Sequence, residues 1–148
     1  MRVEETRREL EALDSSIKKV LEKTGWDNWH EVEYSQEDPE EAFLATELTH
    51  ILEKLESASN TLDYLKKPVT APTTLHKGSN GRYQAESNGK DWEYTSGDGI
   101  EFLLPSPFDD TESWVASRME YSQSKSDYYI VGYEWVQLDG LTVRKRGW

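Results

Sequence analysis

The chain has 148 residues, a length that suits one domain or a small domain with a helical attachment. Its 29 acidic residues outnumber its 17 basic ones, and the formal net charge of −12 at pH 7 repels phosphate and disfavours direct binding of nucleic acid. The chain has no cysteine and no long apolar run, so disulfides, thiolate chemistry, a membrane-spanning helix and a signal peptide are excluded and we expect a cytoplasmic protein.

The first predicted element is an amphipathic helix over residues 3–24. Its apolar positions recur mostly three or four residues apart, and charged or small polar residues fill the positions between them. The apolar stripe consists of Val3, Leu10, Leu13, Ile17 and Val20. Gly25 follows, and glycine is the residue that most often ends a helix.

A connector rich in carboxylates follows the first helix. Between residues 27 and 41 there are seven acidic residues and no lysine or arginine. The acidic residues are Asp27, Glu31, Glu33, Glu37, Asp38, Glu40 and Glu41, and the tryptophans among them are Trp26 and Trp29. Carboxylates with aromatic anchors indicate a protein-binding surface, whereas the simpler interpretation is a solvated loop that keeps the protein soluble.

A second helix is predicted from Asp38-Pro39 to about Leu65. Asp38 supplies an N-cap acceptor, Pro39 suits the first helical position, and Glu40 and Glu41 lie at the positive end of the helix dipole. The apolar stripe comprises Leu44, Leu48, Ile51, Leu55, Ala58, Leu62 and Leu65. Two such stripes predict an antiparallel coiled-coil hairpin. The remaining apolar face of the second helix needs either the C-terminal module or another subunit as its cover, which leaves open a homodimer through the helices.

The rest of the chain predicts short antiparallel strands. Residues 69–79 have the composition of an extended linker. From residue 80 onward, runs rich in aromatic and branched residues are separated by turn signals such as Asn88-Gly89. Alternation within residues 114–121 places three side chains on the side of the strand that is expected to face the core, namely Val115, Met119 and Tyr121.

The predicted fold class is therefore α+β, with an antiparallel two-helix hairpin followed by a small antiparallel β-barrel or bent sheet. The predicted units are a helical hairpin over residues 1–68, a linker over 69–79 and a small β-barrel-like domain over 80–148.

Motifs in the last third of the chain resemble a known family. They are Gly81-Arg82-Tyr83, Gly97-Asp98-x-Ile100-Glu101, Trp114-x-x-x-Arg118-Met119-Glu120, Tyr128-Tyr129-Ile130-Val131 and Leu138-Asp139-Gly140-Leu141. Together they are similar to a small domain-of-unknown-function family of Firmicutes and of their phages and conjugative elements. The resemblance covers about residues 80–146. It implies a Src-homology-3-like barrel and an origin in a mobile element, and it transfers no catalytic residue.

No motif of an active site or a metal centre is present. Glu47-x-x-His50 has half the pattern of a di-metal carboxylate site, which requires a second Glu-x-x-His pair. The acidic run of Asp109, Asp110 and Glu112 lacks the glycine and the ligand spacing of a calcium loop. We therefore expect a protein that is not an enzyme and that holds no cofactor and no metal.

The first functional hypothesis is a non-enzymatic inhibitor from a phage or mobile element, acting in the cytoplasm of a bacterial host. Its acidic residues would occupy a basic, nucleic-acid-binding surface of a host protein. A CRISPR nuclease is the sharpest candidate because its guide and target channels are positively charged, so the protein would be an anti-CRISPR of the nucleic-acid-mimic type. The partner-binding residues would be the nine named in the connector and at the start of the second helix, together with Asp109, Asp110 and Glu112.

Two alternatives belong to other classes. The first is a nucleic-acid-binding regulator that uses the β-domain and its basic C-terminus, Arg144, Lys145 and Arg146, with aromatic rings for stacking. The simpler interpretation of these three residues is that they pair with the protein's own acids or fray as a terminus. The second is a dimeric structural adaptor held together by the helices.

Overall fold

The computed structural model describes residues 1–25 and 32–147, and the chain divides into two compact units, Met1–Lys66 and Lys67–Trp148. The first unit is helical and the second consists of antiparallel strands, which confirms the predicted α+β class. Across the described residues, no helix combines the length and the apolar character needed to span a membrane.

The helical unit contains two helices with the predicted bounds to within two residues. Helix α1 is Val3–Lys23 and helix α2 is Pro39–Lys66. Asp38 caps α2 as predicted, since its Oδ1 accepts hydrogen bonds from the backbone amides of Glu40 at 3.0 Å and Glu41 at 3.4 Å.

The two helices pack through a seam that contains polar as well as apolar groups. Its buried residues are Asp14 and Leu21 on α1 and Ala45, Leu52, Ser59 and Leu62 on α2. The Ser59 hydroxyl donates to the Asp14 carboxylate at 2.8 Å, and the Lys18 and Lys66 amino groups lie 3.1 and 3.4 Å from the same carboxylate. The Ser59 hydrogen bond, followed by Lys18 and Lys66, lowers the pKa of Asp14 despite its burial.

The second unit contains eight strands in two sheets. The strands are β1 Thr73–Thr74, β2 His76–Lys77, β3 Tyr83–Ser87, β4 Lys90–Glu93, β5 Gly99–Pro105, β6 Glu112–Ser122, β7 Asp127–Ile130 and β8 Thr142–Arg144. The order is β1-β8-β5-β6-β7 in the larger sheet and β2-β3-β4 in the smaller one, with antiparallel pairing throughout. The sheets do not close, so of the two predicted forms the bent sheet describes the unit and a closed barrel does not.

The predicted linker is wrong in part, because residues 69–79 belong to the strand unit. Thr73 and Thr74 pair with β8, and His76 and Lys77 pair with β3. Leu75 lies between β1 and β2 and is completely buried. One continuous stretch therefore joins the two sheets, and the strand unit begins at Lys67 rather than at residue 80.

The core of this unit lies between the sheets and is rich in aromatic rings. Its buried members are Leu75, Tyr83, Ala85, Trp92, Tyr94, Ile100, Phe102, Met119, Ile130, Leu138 and Val143. Met119 is buried as predicted and Val115 is half-buried, but Tyr121 is 46% exposed, so its assignment to the core is wrong. The Tyr83 hydroxyl donates to Asp127 at 3.2 Å, and burial together with that carboxylate raises the pKa of Tyr83 to about 12.

Candidate functional site

The acidic residues at the start of α2 form the candidate site that the structure describes best. Of the nine partner-binding residues predicted in this region, Trp26, Asp27, Trp29 and Glu31 lie outside the described residues. The other five are Glu33, Glu37, Asp38, Glu40 and Glu41, and all of them are exposed. Asp38, Glu40 and Glu41 are fixed by the first turn of α2, because the Asp38 cap positions the backbone amides of both glutamates.

These five carboxylates have no basic partner within the described part of the chain. The helix dipole favours Glu40 and Glu41 at the first turn, but no lysine or arginine side chain approaches any of the five closely enough for an ion pair. The segment 33–41 therefore presents negative charge that no lysine or arginine side chain of the described residues neutralises.

Many basic side chains elsewhere are paired within the protein. The bases with an acidic partner include Arg7, Lys18, Lys66, Lys77, Arg82, Arg118, Arg144 and Arg146. The charges of these bases and of their acidic partners offset one another. Because acidic residues outnumber basic ones, the net negative charge of the protein therefore lies mainly on acidic residues outside these pairs. The segment 33–41 is one such concentration.

The second predicted acidic group lies in the strand unit, in the loop between β5 and β6. Asp109 accepts hydrogen bonds from the Thr111 backbone amide at 2.9 Å and from the Thr111 hydroxyl, and these bonds lower its pKa. Asp110 and Glu112 are exposed, and Glu112 is the first residue of β6. Asp109 thus stabilises the conformation of its own loop. The contacts of Asp110 and Glu112 do not indicate a binding partner.

Two residues of the predicted basic cluster share one buried carboxylate. Glu101 on β5 is 5% exposed and accepts from Arg144 Nε at 2.8 Å and from Arg146 Nε at 2.6 Å. Arg144 also lies over the Trp114 ring, with its guanidinium carbon 4.1 Å from the ring centroid. Two of the three predicted nucleic-acid contacts, Arg144 and Arg146, are therefore part of an internal ion pair.

The helical unit also has an apolar surface outside the seam. It was predicted to form the contact between the two helices. Six large side chains of the two predicted stripes are between 44% and 56% exposed. They are Leu10, Leu13 and Val20 on α1 and Leu44, Leu48 and Ile51 on α2. We call this set the apolar face. The sequence predicts these stripes as the contact between the helices, but the seam is formed mainly by other residues.

The described residues do not contain a group of three or more histidine, aspartate or glutamate side chains arranged to hold a metal ion. His50 Nδ1 lies 4.0 Å from Glu47 Oε1, and both side chains are more than half exposed. Among the described residues, no third side chain joins this exposed pair in an arrangement that could hold a metal ion.

Residues 73–145 match the model of a family described as a domain of unknown function, DUF5348. The C-terminal part of this protein is therefore similar to the DUF5348 family. The match begins at the first residue of β1 and ends one residue after β8, so it covers all eight strands and neither helix. Comparison of the chain with curated proteins and with solved structures gives no match.

Proposed function

We propose that the protein is a non-enzymatic binding protein whose helical unit docks on a basic surface of another protein through the carboxylates of residues 33–41. The observation that carries this proposal is the exposure of five acidic side chains that have no basic partner within the described part of the chain. Charge that is not compensated internally increases the rate of encounter with a positively charged partner and selects against acidic ones.

The more specific form of the proposal is an inhibitor of a CRISPR nuclease, carried by a phage or another mobile element and active in the bacterial cytoplasm. Such nucleases hold guide RNA and target DNA in positively charged channels that recognise the backbone of the nucleic acid. A row of carboxylates on a rigid helix start presents negative charge in a comparable way. Docking would cover the channel and prevent the target DNA from entering.

The experiment is an in vitro DNA cleavage assay with a purified CRISPR nuclease and its guide RNA, with and without the full-length protein. The test variant carries Glu37→Gln, Glu40→Gln and Glu41→Gln, which removes three charges and leaves the Asp38 cap intact. We expect the variant to inhibit at least about 10-fold less strongly than the wild type, since each exposed charge pair contributes up to about 1 kcal/mol. Inhibition by the wild type is expected to weaken as salt is raised.

A matched control carries Glu4→Gln, Glu5→Gln and Glu9→Gln on the exposed surface of α1. It makes the same change in net charge at the other end of the antiparallel hairpin. Equal loss of inhibition in both variants would show that only total charge matters and would contradict a site at residues 33–41. Absence of inhibition by the wild type would remove the CRISPR form of the proposal.

A further inference from the structure

The helical unit buries few large apolar side chains in its own seam. Leu21, Leu52 and Leu62 are the large apolar residues that are buried there, and the space between the helices is shared with Asp14, Ser59 and Ala45. The six residues of the apolar face remain about half exposed. Among the described residues of the hairpin, more large apolar side chains therefore face outward than are buried inside it, which is the reverse of the usual arrangement.

The two stripes lie on the same side of the hairpin. A helix turns by about 100° per residue, so the exposed stripe of α1 is centred about 70° from the direction of Asp14 and Leu21, and that of α2 about 70° from the direction of Ala45, Leu52 and Ser59. Both offsets have the same sign along the chain. Because the helices run antiparallel, offsets of the same sign bring both stripes to one side, where they form a single surface.

The size of this surface matches an interface between protein chains. Six side chains of roughly 180 Å² each, about half exposed, present on the order of 500 Å² of apolar surface, close to the largest patches on monomeric proteins. Half-buried Ile17 and Leu55 belong to the same stripes and extend it. A standard interface covers roughly 800 Å² per partner, so the apolar face would supply more than half of it and the surrounding polar side chains the rest.

We propose that a second copy of this chain covers the apolar face and that the two hairpins form a four-helix bundle. Pairs of antiparallel hairpins bury such stripes in a common core, where each stripe packs against the stripes of the partner. An interface between identical chains uses the same patch twice, so a face built from leucine, isoleucine and valine complements itself.

The charges beside the apolar face are also compatible with a second copy. By the turn of the helix, Glu9 and Lys23 border the stripe of α1, and Glu47 and Lys54 border that of α2. Each border thus carries both signs, which suits a copy of itself better than the strongly basic partner expected for residues 33–41. This inference goes beyond the proposed function, because it rests on the apolar side chains rather than on the carboxylates of residues 33–41 and holds whether or not those carboxylates bind a partner.

The test is the mass of the full-length protein in solution, measured by light scattering during gel filtration and by sedimentation. We expect twice the mass of one chain for the wild type at micromolar concentration. The variant with Leu48→Gln and Ile51→Gln places four polar groups in the interface, and we expect its self-association to be about 100-fold weaker. A wild type that stays monomeric, or a variant that dimerises as strongly as the wild type, overturns the proposal.

A second measurement remains informative if that variant does not fold. The chain has no cysteine, so a single cysteine can be introduced and its reaction with a maleimide followed without background. We expect modification of Ile51→Cys to slow as the protein concentration rises, because dimerisation covers it. Ser57→Cys is the control, since Ser57 is exposed on the same helix and lies outside the stripe. Equal rates at all concentrations for both positions would contradict the proposed interface.

Discussion

At the residue scale, two buried carboxylates hold together parts of the chain that are far apart in sequence. Asp14 joins the helices through Ser59, Lys18 and Lys66, and Glu101 joins β5 to the end of the chain through Arg144 and Arg146. A buried carboxylate is stable only when its charge is paired and its oxygens accept hydrogen bonds. Both residues therefore depend on partners that the local sequence does not reveal.

Removal of the Glu101 carboxylate is expected to destabilise the strand unit strongly. Glu101→Ala leaves the Arg144 and Arg146 guanidiniums, which are 21% and 12% exposed, without their acceptor. We expect a loss of about 3–5 kcal/mol in the free energy of unfolding, as is usual when one partner of a buried ion pair is removed. Denaturant unfolding followed by tryptophan fluorescence measures it. Glu93→Ala breaks the exposed pair with Arg82 and is expected to cost about 1 kcal/mol or less, so similar losses would contradict the role assigned to Glu101.

The stability of the helical unit is expected to depend on the charge of Asp14. Its pKa in the folded protein is lowered, so its contribution is complete above the unfolded value of about 3.9 and is lost as the pH falls through the folded value. The difference in unfolding free energy between the wild type and Asp14→Asn should therefore shrink as the pH is lowered from about 7 to below 4. Urea unfolding followed by far-UV circular dichroism reports on α1 and α2. A difference that does not change with pH would contradict this prediction.

At the scale of elements, the start of α2 combines a structural role with the proposed binding role. The Asp38 side chain caps the helix, whereas Glu37, Glu40 and Glu41 have no side-chain contact that the helix requires. The two roles can therefore be separated by substitution at different positions in the same turn.

Loss of the cap is expected to lower the stability of the helical unit by about 1 kcal/mol in Asp38→Ala, because two backbone amides lose their acceptor. Asp38→Asn keeps a side-chain oxygen at the cap and is expected to cost only a few tenths of a kcal/mol. Urea unfolding followed by circular dichroism distinguishes the two. If Asp38→Asn were as damaging as Asp38→Ala, charge rather than capping would be the important property.

Sequence patterns that act within a few residues predicted most of the helices and strands. The wrong predictions concern residues whose structure depends on pairing with distant parts of the chain. The periodicity of the helices, the cap at Asp38 and the Asn88-Gly89 turn, where both residues have positive φ, act within a few residues. Strands β1 and β2 pair with β8 and β3, so a threonine-rich stretch that follows Pro68 and contains Pro72 resembles a linker until those partners are known. Tyr121 fits the apolar alternation of β6, but the pattern does not show that its end of the strand extends beyond the core.

At the scale of the whole molecule, the family match and the structure draw nearly the same boundary. DUF5348 corresponds to the eight strands, and the helices that carry residues 33–41 and the apolar face lie outside it. The sequence predicted the acidic residues of the candidate site, because charge and exposure follow from composition. It also predicted that the basic C-terminus pairs with the protein's own acids, which Arg144 and Arg146 do, but it did not identify Glu101 as the partner. It did not predict that the apolar stripes lie outside the seam, since that depends on tertiary packing.

The strand unit also has its first and last residues side by side. The Thr70 backbone amide donates to the Lys145 carbonyl at 2.8 Å, and the Gly147 amide donates to the Pro68 carbonyl at 2.9 Å. The backbone therefore enters and leaves this unit at one point. A unit of this kind can be inserted into a loop of another protein, or permuted by joining its ends, without a long connection. The strand unit of this chain is thus geometrically suited to insertion at a single point of another chain.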